Sequence, residues 1–363
     1  MYNQRYSKKL KETQSKLLQY LEKEYDVEEN YDNLIKFLET QKIITNRHEF
    51  KSILYLLTKI SENHHRIQNF IIKIEKILHF LKNNITKTFS NNEIFEIFQK
   101  NKLILLFFIQ EQIFVIDKVI YKQMIRNDKT RHFFRPELEK FRNDSENKKT
   151  NEDENLNEFK NKRQIGENDN LICKLIRDDL IEEFIIFVKK NDYPINSDIE
   201  PSDFETNPLL IRKTPTLIEY AAFFGSVQIV KFLYKNGAKL EPSLWIYAVH
   251  GNCEELIHLL GENNILPNDT TYEEVLKESI KCHHVDMMNY ILNNFLEEIN
   301  FNQNILSYCF HYYNFSYLPP NVPGDFIFHC ACKYDHFLIV EQFLKTKSFD
   351  INKTSILILL NST

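Results

Sequence analysis

The run from Thr216 to Leu240, T-L-I-E-Y-A-A-F-F-G-S-V-Q-I-V-K-F-L-Y-K-N-G-A-K-L, constrains the fold more than any other stretch of the chain. Its spacing predicts a helix over 217–224, with the Thr216 side chain capping a free backbone N–H. A second helix is predicted over 226–235, where Val227, Val230, Phe232 and Leu233 form a broad apolar face. Gly225 stands between them, where a tight turn needs a residue that tolerates positive φ, and Gly237 closes the second helix as a left-handed cap. Ala221 and Ala222 are small where the two helices must approach closely. Such a pair cannot bury its apolar faces alone, so the expected class is all-α, a solenoid of stacked helix pairs.

These residues resemble an ankyrin repeat, whose pattern runs T-P-L-H-x-A-A-x-x-G and then through paired valines and leucines to G-A. Where that pattern has T-P-L-H, the chain has Thr216, Leu217, Ile218 and Glu219. In ankyrin proteins the Thr and His link neighbouring repeats by hydrogen bonds. An ionised Glu219 donates none, so the link is expected to be weaker or differently made. Several further stretches are similar to one family: S-L-W-I-Y-A-V-H-G-N, Y-E-E-V-L-K-E-S-I-K-C-H-H, S-Y-C-F-H-Y-Y-N-F, N-N-E-I-F-E-I-F and R-Q-I-G-E-N. It is the expanded group of ankyrin-repeat proteins of trichomonad protists that carry a domain of unknown function. The resemblance implies an ankyrin-like solenoid of degenerate repeats and no particular reaction.

A chain of 363 residues has room for a long array, and with 43% hydrophobic and 27% charged residues it is expected to fold. Only 6 glycines and 10 prolines are present, too few for many tight strand connections, which favours helices. The formal net charge of −5 counts against nucleic acid as the main partner. No signal peptide is visible in M-Y-N-Q-R-Y-S-K-K-L. The most apolar run, Leu103 to Ile109, falls well short of the ~20 residues that span a bilayer, so it is expected in the core and no membrane partner is expected. The cysteines, Cys173, Cys253, Cys282, Cys309, Cys330 and Cys332, are expected to be reduced and buried, in keeping with a cytoplasmic location.

In chain order, amphipathic helices are predicted from Ser7, Asn30, Asn46, His65, Ser90 and Leu103 onward, with capping-box spacing at Asn46/Glu49 and Ser90/Glu93. Residues 1–142 read as an N-terminal array of degenerate helix pairs. Residues 143–170 are so polar that a flexible linker is predicted. Residues 171–363 read as the ankyrin-like array, interrupted by an insertion at 194–212 and by Pro319, Pro320 and Pro323. Gly251, His283 and Asp335 are expected to occupy the turn position of Gly225 in later pairs. Gly251 follows Gly225 by only 26 residues, against the ~33 of an ankyrin period. Asp350-Ile351-Asn352 resembles the close of a repeat, and Ile356 to Leu360 begins another apolar run.

The motifs that carry chemistry are absent. Cys282-His283-His284, Cys309, His311, His329, Cys330, Cys332 and His336 have the residue types of a zinc site. Cys330-Ala331-Cys332, however, has one intervening residue and no matching second pair, so no metal is predicted. No nucleophile elbow, P-loop, kinase or zincin motif occurs, so neither an enzyme nor a cofactor is predicted. Aromatic residues crowd the first helices. Phe224, Trp245, His250, Tyr312 and Tyr313 are the candidate partner-binding surface, with core packing as the alternative for each. The leading expectation is a protein–protein interaction scaffold for an unknown protein partner, with no small-molecule substrate evident. The alternatives are a substrate-recognition or adaptor subunit for a separate enzyme, and a metal-binding enzyme.

Overall fold

The computed structural model describes residues 4–23, 28–64, 69–146, 156–296, 303–316 and 323–346. The helices, in order, are α1 (Gln4–Leu21), α2 (Glu28–Thr40), α3 (Arg47–Asn63), α4 (Phe70–Thr88), α5 (Asn91–Phe98), α6 (Lys102–Gln110), α7 (Lys118–Met124), α8 (Asp128–Phe133), α9 (Arg135–Glu146), α10 (Leu156–Ile165) and α11 (Leu171–Arg177). They continue as α12 (Ile181–Lys190), α13 (Pro208–Arg212), α14 (Leu217–Phe224), α15 (Val227–Lys235), α16 (Leu244–His250), α17 (Glu254–Glu262), α18 (Glu273–Lys281), α19 (Val285–Asn294), α20 (Gln303–His311), α21 (Gly324–Lys333) and α22 (Phe337–Thr346). Among the described residues there is no strand, only an isolated antiparallel bridge between Asp198 and Thr216. The all-α expectation holds. No described helix is long and apolar enough to cross a membrane. Asp350-Ile351-Asn352, Pro319, Pro320 and the run Ile356 to Leu360 lie outside the described residues.

The chain divides into two compact units, one drawn from 1–60, 66–74 and 271–363, the other from 61–65 and 75–270. In the first unit α1 packs on α2, α18 packs on α19 and α20, α20 on α21, and α21 on α22. In the second unit α11 pairs with α12, α14 with α15, and α16 with α17. There the first helices of successive pairs also touch, α11 on α14 and α14 on α16, as do the second helices α12 and α15.

Local sequence explains these pairs. Thr216 and Glu219 form a capping box that starts α14, and Gly225 ends it at φ +69°, as the turn requires. Gly237 takes φ +91° at the end of α15. The pairs α11/α12, α14/α15 and α16/α17 are each punctuated twice by left-handed residues. Asp179, Gly225 and Asn252 follow the first helices, and Asp192, Gly237 and Asn264 follow the second. The two marks lie 13 (192 − 179), 12 (237 − 225) and 12 (264 − 252) residues apart. In every case the next N–H reaches back five residues, as Ser226 to the Ala221 oxygen at 2.9 Å and Cys253 to the Ala248 oxygen at 3.0 Å, the Schellman closure that satisfies the helix's last carbonyls. His283, Tyr313 and Asp335 do the same in the first unit, at φ +60°, +55° and +61°.

Gly251 is a correction. It lies at φ −71°, and its neighbour Asn252 takes the left-handed position. The glycine is required for a different reason. A Cβ on Gly251 would stand 2.2 Å from the Ala222 carbonyl oxygen, so this position lets α16 approach the end of α14.

The polar stretch expected as a flexible linker is structured wherever it is described. Residues 156–165 form α10, whose Phe159 and Arg163 are buried. Arg163 reaches back to Glu137 with two bonds of 2.6 Å and donates to the Phe133 oxygen at 3.0 Å. A bidentate Arg–carboxylate pair offsets the scarcity of apolar residues there.

Capping was partly legible. Ser90 and Glu93 cap α5 reciprocally. Asn46 accepts from the backbone of His48 and Glu49, but the Glu49 side chain turns to Lys9, 2.5 Å away, instead of closing a box. The run Leu103 to Phe108 is buried throughout α6, as a core segment should be.

Lys73 closes the other end of α1. Its buried ammonium donates to the carbonyls of Tyr20 (3.3 Å), Leu21 (3.5 Å) and Lys23. Lys73→Met keeps the stem and strands these acceptors, so a loss of about 2–3 kcal/mol is expected in urea unfolding. An unchanged midpoint would show that water satisfies them.

Candidate partner-binding surface

The five aromatic and histidine positions do not form one surface. Trp245 is fully buried and donates its indole N–H to the Ile265 oxygen at 2.7 Å. His250 is buried and stacked on Phe223 with ring centroids 4.0 Å apart. Tyr313 is buried and donates its hydroxyl to the Tyr334 oxygen at 3.1 Å. These three are packing residues, because α16 and the α20 turn face other helices. Phe224 and Tyr312 remain half-buried, and they belong to different units.

Around Phe224 the structure supplies a partner for the ring. The Arg177 guanidinium carbon stands 6.0 Å from its centroid. Arg177 is fixed by Glu167 (2.7 Å), the Asn168 oxygen (2.7 Å) and the Tyr220 hydroxyl (3.1 Å). A half-exposed aromatic under a pre-ordered arginine combines two residue types that dominate interface energetics. The pairs beside it are tied together through their turns. Asp179 accepts from the Gln228 and Ile229 N–H groups that open α15 (3.4 and 3.2 Å), and Ser226 donates to the Ile176 oxygen at 2.5 Å. Glu219 also resolves the departure from T-P-L-H. Its carboxylate accepts from the Thr216 N–H (2.8 Å) and from the Ser243 hydroxyl (2.5 Å), so the link to the next pair survives with its polarity reversed.

In the first unit the turn side of the helix pairs is met by α1 and α3. Gln14, fully buried, donates to Asn314 Oδ1 (2.9 Å), lies 3.0 Å from His283 Nδ1, and accepts from the Phe315 N–H (2.9 Å). Lys11 donates to the Ser316 oxygen at 3.0 Å, Lys51 pairs with Asp335 at 2.7 Å, and His48 stacks on Phe337 at 3.8 Å. Sequence reasoning missed this contact. Its one local signal is Gln14 itself, a polar residue on the stripe of Leu10, Leu17, Leu18 and Leu21.

Most of the cysteine thiols are buried. Five thiols are buried, and Cys332 alone is exposed, contrary to expectation. Burial pushes Cys173 and Cys309 up to about 12 and Cys330 to about 11, so these groups stay protonated at neutral pH and are poor nucleophiles. His311 is stacked between Tyr312 and Tyr334. His336 is fully buried, donates Nε2–H to the Phe310 oxygen at 2.9 Å, and leaves Nδ1 with no partner.

Burial pushes His336 down to about 4, against the opposing pull of the Phe310 carbonyl and of Asp335. The folded chain therefore releases this proton near pH 4 and the unfolded chain near its ordinary value of 6.5. The stability gained from the neutral ring is complete above pH 6.5 and is lost as pH falls toward 4. The expected loss is up to about 3 kcal/mol. Urea titrations at several pH values check it: wild type should weaken over this window more than His336→Gln does, and equal slopes would contradict it.

Comparison with known proteins finds no family model, no curated protein and no solved structure that matches this chain.

Proposed function

We propose that the chain is a protein–protein interaction scaffold whose helix pairs stack as an ankyrin-like solenoid, of the kind its resemblance to the trichomonad repeat proteins suggests. The observation that carries this reading is the repeated double punctuation at 179/192, 225/237 and 252/264, each pair of marks enclosing the second helix of one unit of structure. Short helix pairs repeated in this way present a row of turns, and a row of turns offers a partner a long, sequence-variable surface. The turns in the first unit already receive a helix of the same chain through Gln14, which is the type of contact an external helix would make. Phe224 and Arg177 are the residues we place in the partner contact, with Tyr312 as a second point. The scaffold is read as cytoplasmic.

The test is selective capture. Wild-type protein, Phe224→Ala and Tyr312→Ala, with matched unfolding curves, are cross-linked in lysate of the source cells. A partner retained by wild type and lost from Phe224→Ala supports the reading. No protein above background, or a set of proteins indifferent to both substitutions, contradicts it.

A further inference from the structure

A cleft of about 490 Å³ opens in the second unit beside α7, α8 and α9. Its volume suits a small ligand and is too small for a docked helix. The apolar part of its lining is Tyr121, Ile125 and Leu138, with Leu138 buried. Its rim carries Lys129, Arg135 and Arg142, none of which has a carboxylate partner among the described residues. Arg135 is instead held over the Phe159 ring at 4.9 Å.

Three carboxylates also border the cleft, and one of them is paired with a permanent cation. Asp128 is held by Arg131 at 2.7 Å, and Asp203 faces His132 at 3.7 Å. Glu139 is the third, one turn of α9 from both Arg135 and Arg142. Lys129, Arg135 and Arg142 outnumber Glu139 and Asp203. Nearby, Lys102 donates to the Lys129 carbonyl oxygen at 3.4 Å and stands over Phe133. Burial first, and then the charge of Lys129, push Lys102 down to about 8, against Asp203 and Glu205. The corner thus holds a surplus of positive charge that an anion would relieve.

We propose that this cleft binds a small molecule that carries adjacent phosphate groups on an apolar or aromatic body. The phosphates meet Lys129, Arg135 and Arg142, where guanidinium forks suit phosphate oxygens. The apolar body lies against Tyr121, Ile125 and Leu138. The site uses helices outside the punctuated pairs, so it stands or fails separately from the scaffold reading.

Calorimetric titration of the full chain with ADP, inorganic pyrophosphate and adenosine tests the assignment. ADP is expected to bind, pyrophosphate to bind more weakly, and adenosine not to bind measurably. The double variant Lys129→Gln/Arg142→Gln, both at exposed positions, should weaken ADP at least about tenfold with an unchanged unfolding curve. Glu139→Gln should tighten ADP by about threefold by removing a carboxylate one turn from both Arg135 and Arg142, a gain that a misfolded variant cannot mimic. Absence of saturable ADP and pyrophosphate binding at about millimolar concentration would overturn the proposal. So would equal binding of adenosine and ADP, or affinities indifferent to both variants.

Discussion

Ala222→Glu is expected to destabilise the second unit by about 4 kcal/mol or more. Every residue of α14 from Leu217 to Phe223 is buried, and Ala222 is fully so. No rotation of this helix gives a carboxylate at 222 a route to water. The helix packs on α11, α15 and α16 at once, so the new side chain must either desolvate its charge or push a neighbour away. Protonation in place only exchanges the charge for a buried, unpartnered acid. If the pairs stack as proposed, the damage is local, and the urea transition should broaden or split as well as shift. A single transition, equally sharp and at the wild-type midpoint, would mean that Ala222 is exposed and the pair wrongly placed.

Gly251→Ala is expected to cost about 2–4 kcal/mol, the opposite of what local propensity predicts. At φ −71° and ψ −2° the glycine has ordinary right-handed geometry. In an exposed helix end of that geometry, alanine would gain about 0.5–1 kcal/mol. Here its Cβ would lie 2.2 Å from the Ala222 oxygen and 3.1 Å from both the Phe223 oxygen and the Gly225 nitrogen. All three are backbone atoms, which cannot rotate aside as a side chain would. Relief requires α16 to move off α14 and weakens the Glu219–Ser243 link at the other end of the same contact. The measurement is the urea midpoint of the purified variant. A more stable Gly251→Ala would contradict the close approach of these helices.

The parts of the fold legible in sequence are those set by local chemistry. Thr216 with Glu219, Ser90 with Glu93, Gly225 and Gly237 act within a single turn of chain, and each does what its residue type favours. Glycine itself was a poor guide to the turn at 251–252. Asn252, Asp179, Asp192 and Asn264 serve as left-handed residues because a short polar side chain tolerates that conformation, so the recurring turns are clearer in backbone geometry than in glycine spacing. Non-local chemistry stayed hidden. Nothing near Arg163 announces that Glu137 will hold it, and the stretch around it has the composition of a linker. Trp245, His250 and Tyr313 have the residue types of interface anchors, and only the packing of their helices decides that they face inward. The cleft beside α7, α8 and α9 is likewise a product of packing: residues 126–142 carry more Lys and Arg than Asp and Glu, but nothing in that run announces that Lys129, Arg135 and Arg142 will border one cavity with Tyr121 and Ile125.

Stacking of the punctuated pairs is the claim on which the scaffold reading depends, and hydrogen exchange resolved along the chain tests it most directly. Wild type and Ala222→Glu are compared under native conditions. In a pairwise stack, protection falls most in α14, α15 and α16 and less in α11, α12 and α17, while α5 and α6 keep their wild-type protection. Equal loss of protection in all the helices of the second unit would show one undivided cooperative core and would contradict the stacked-repeat account.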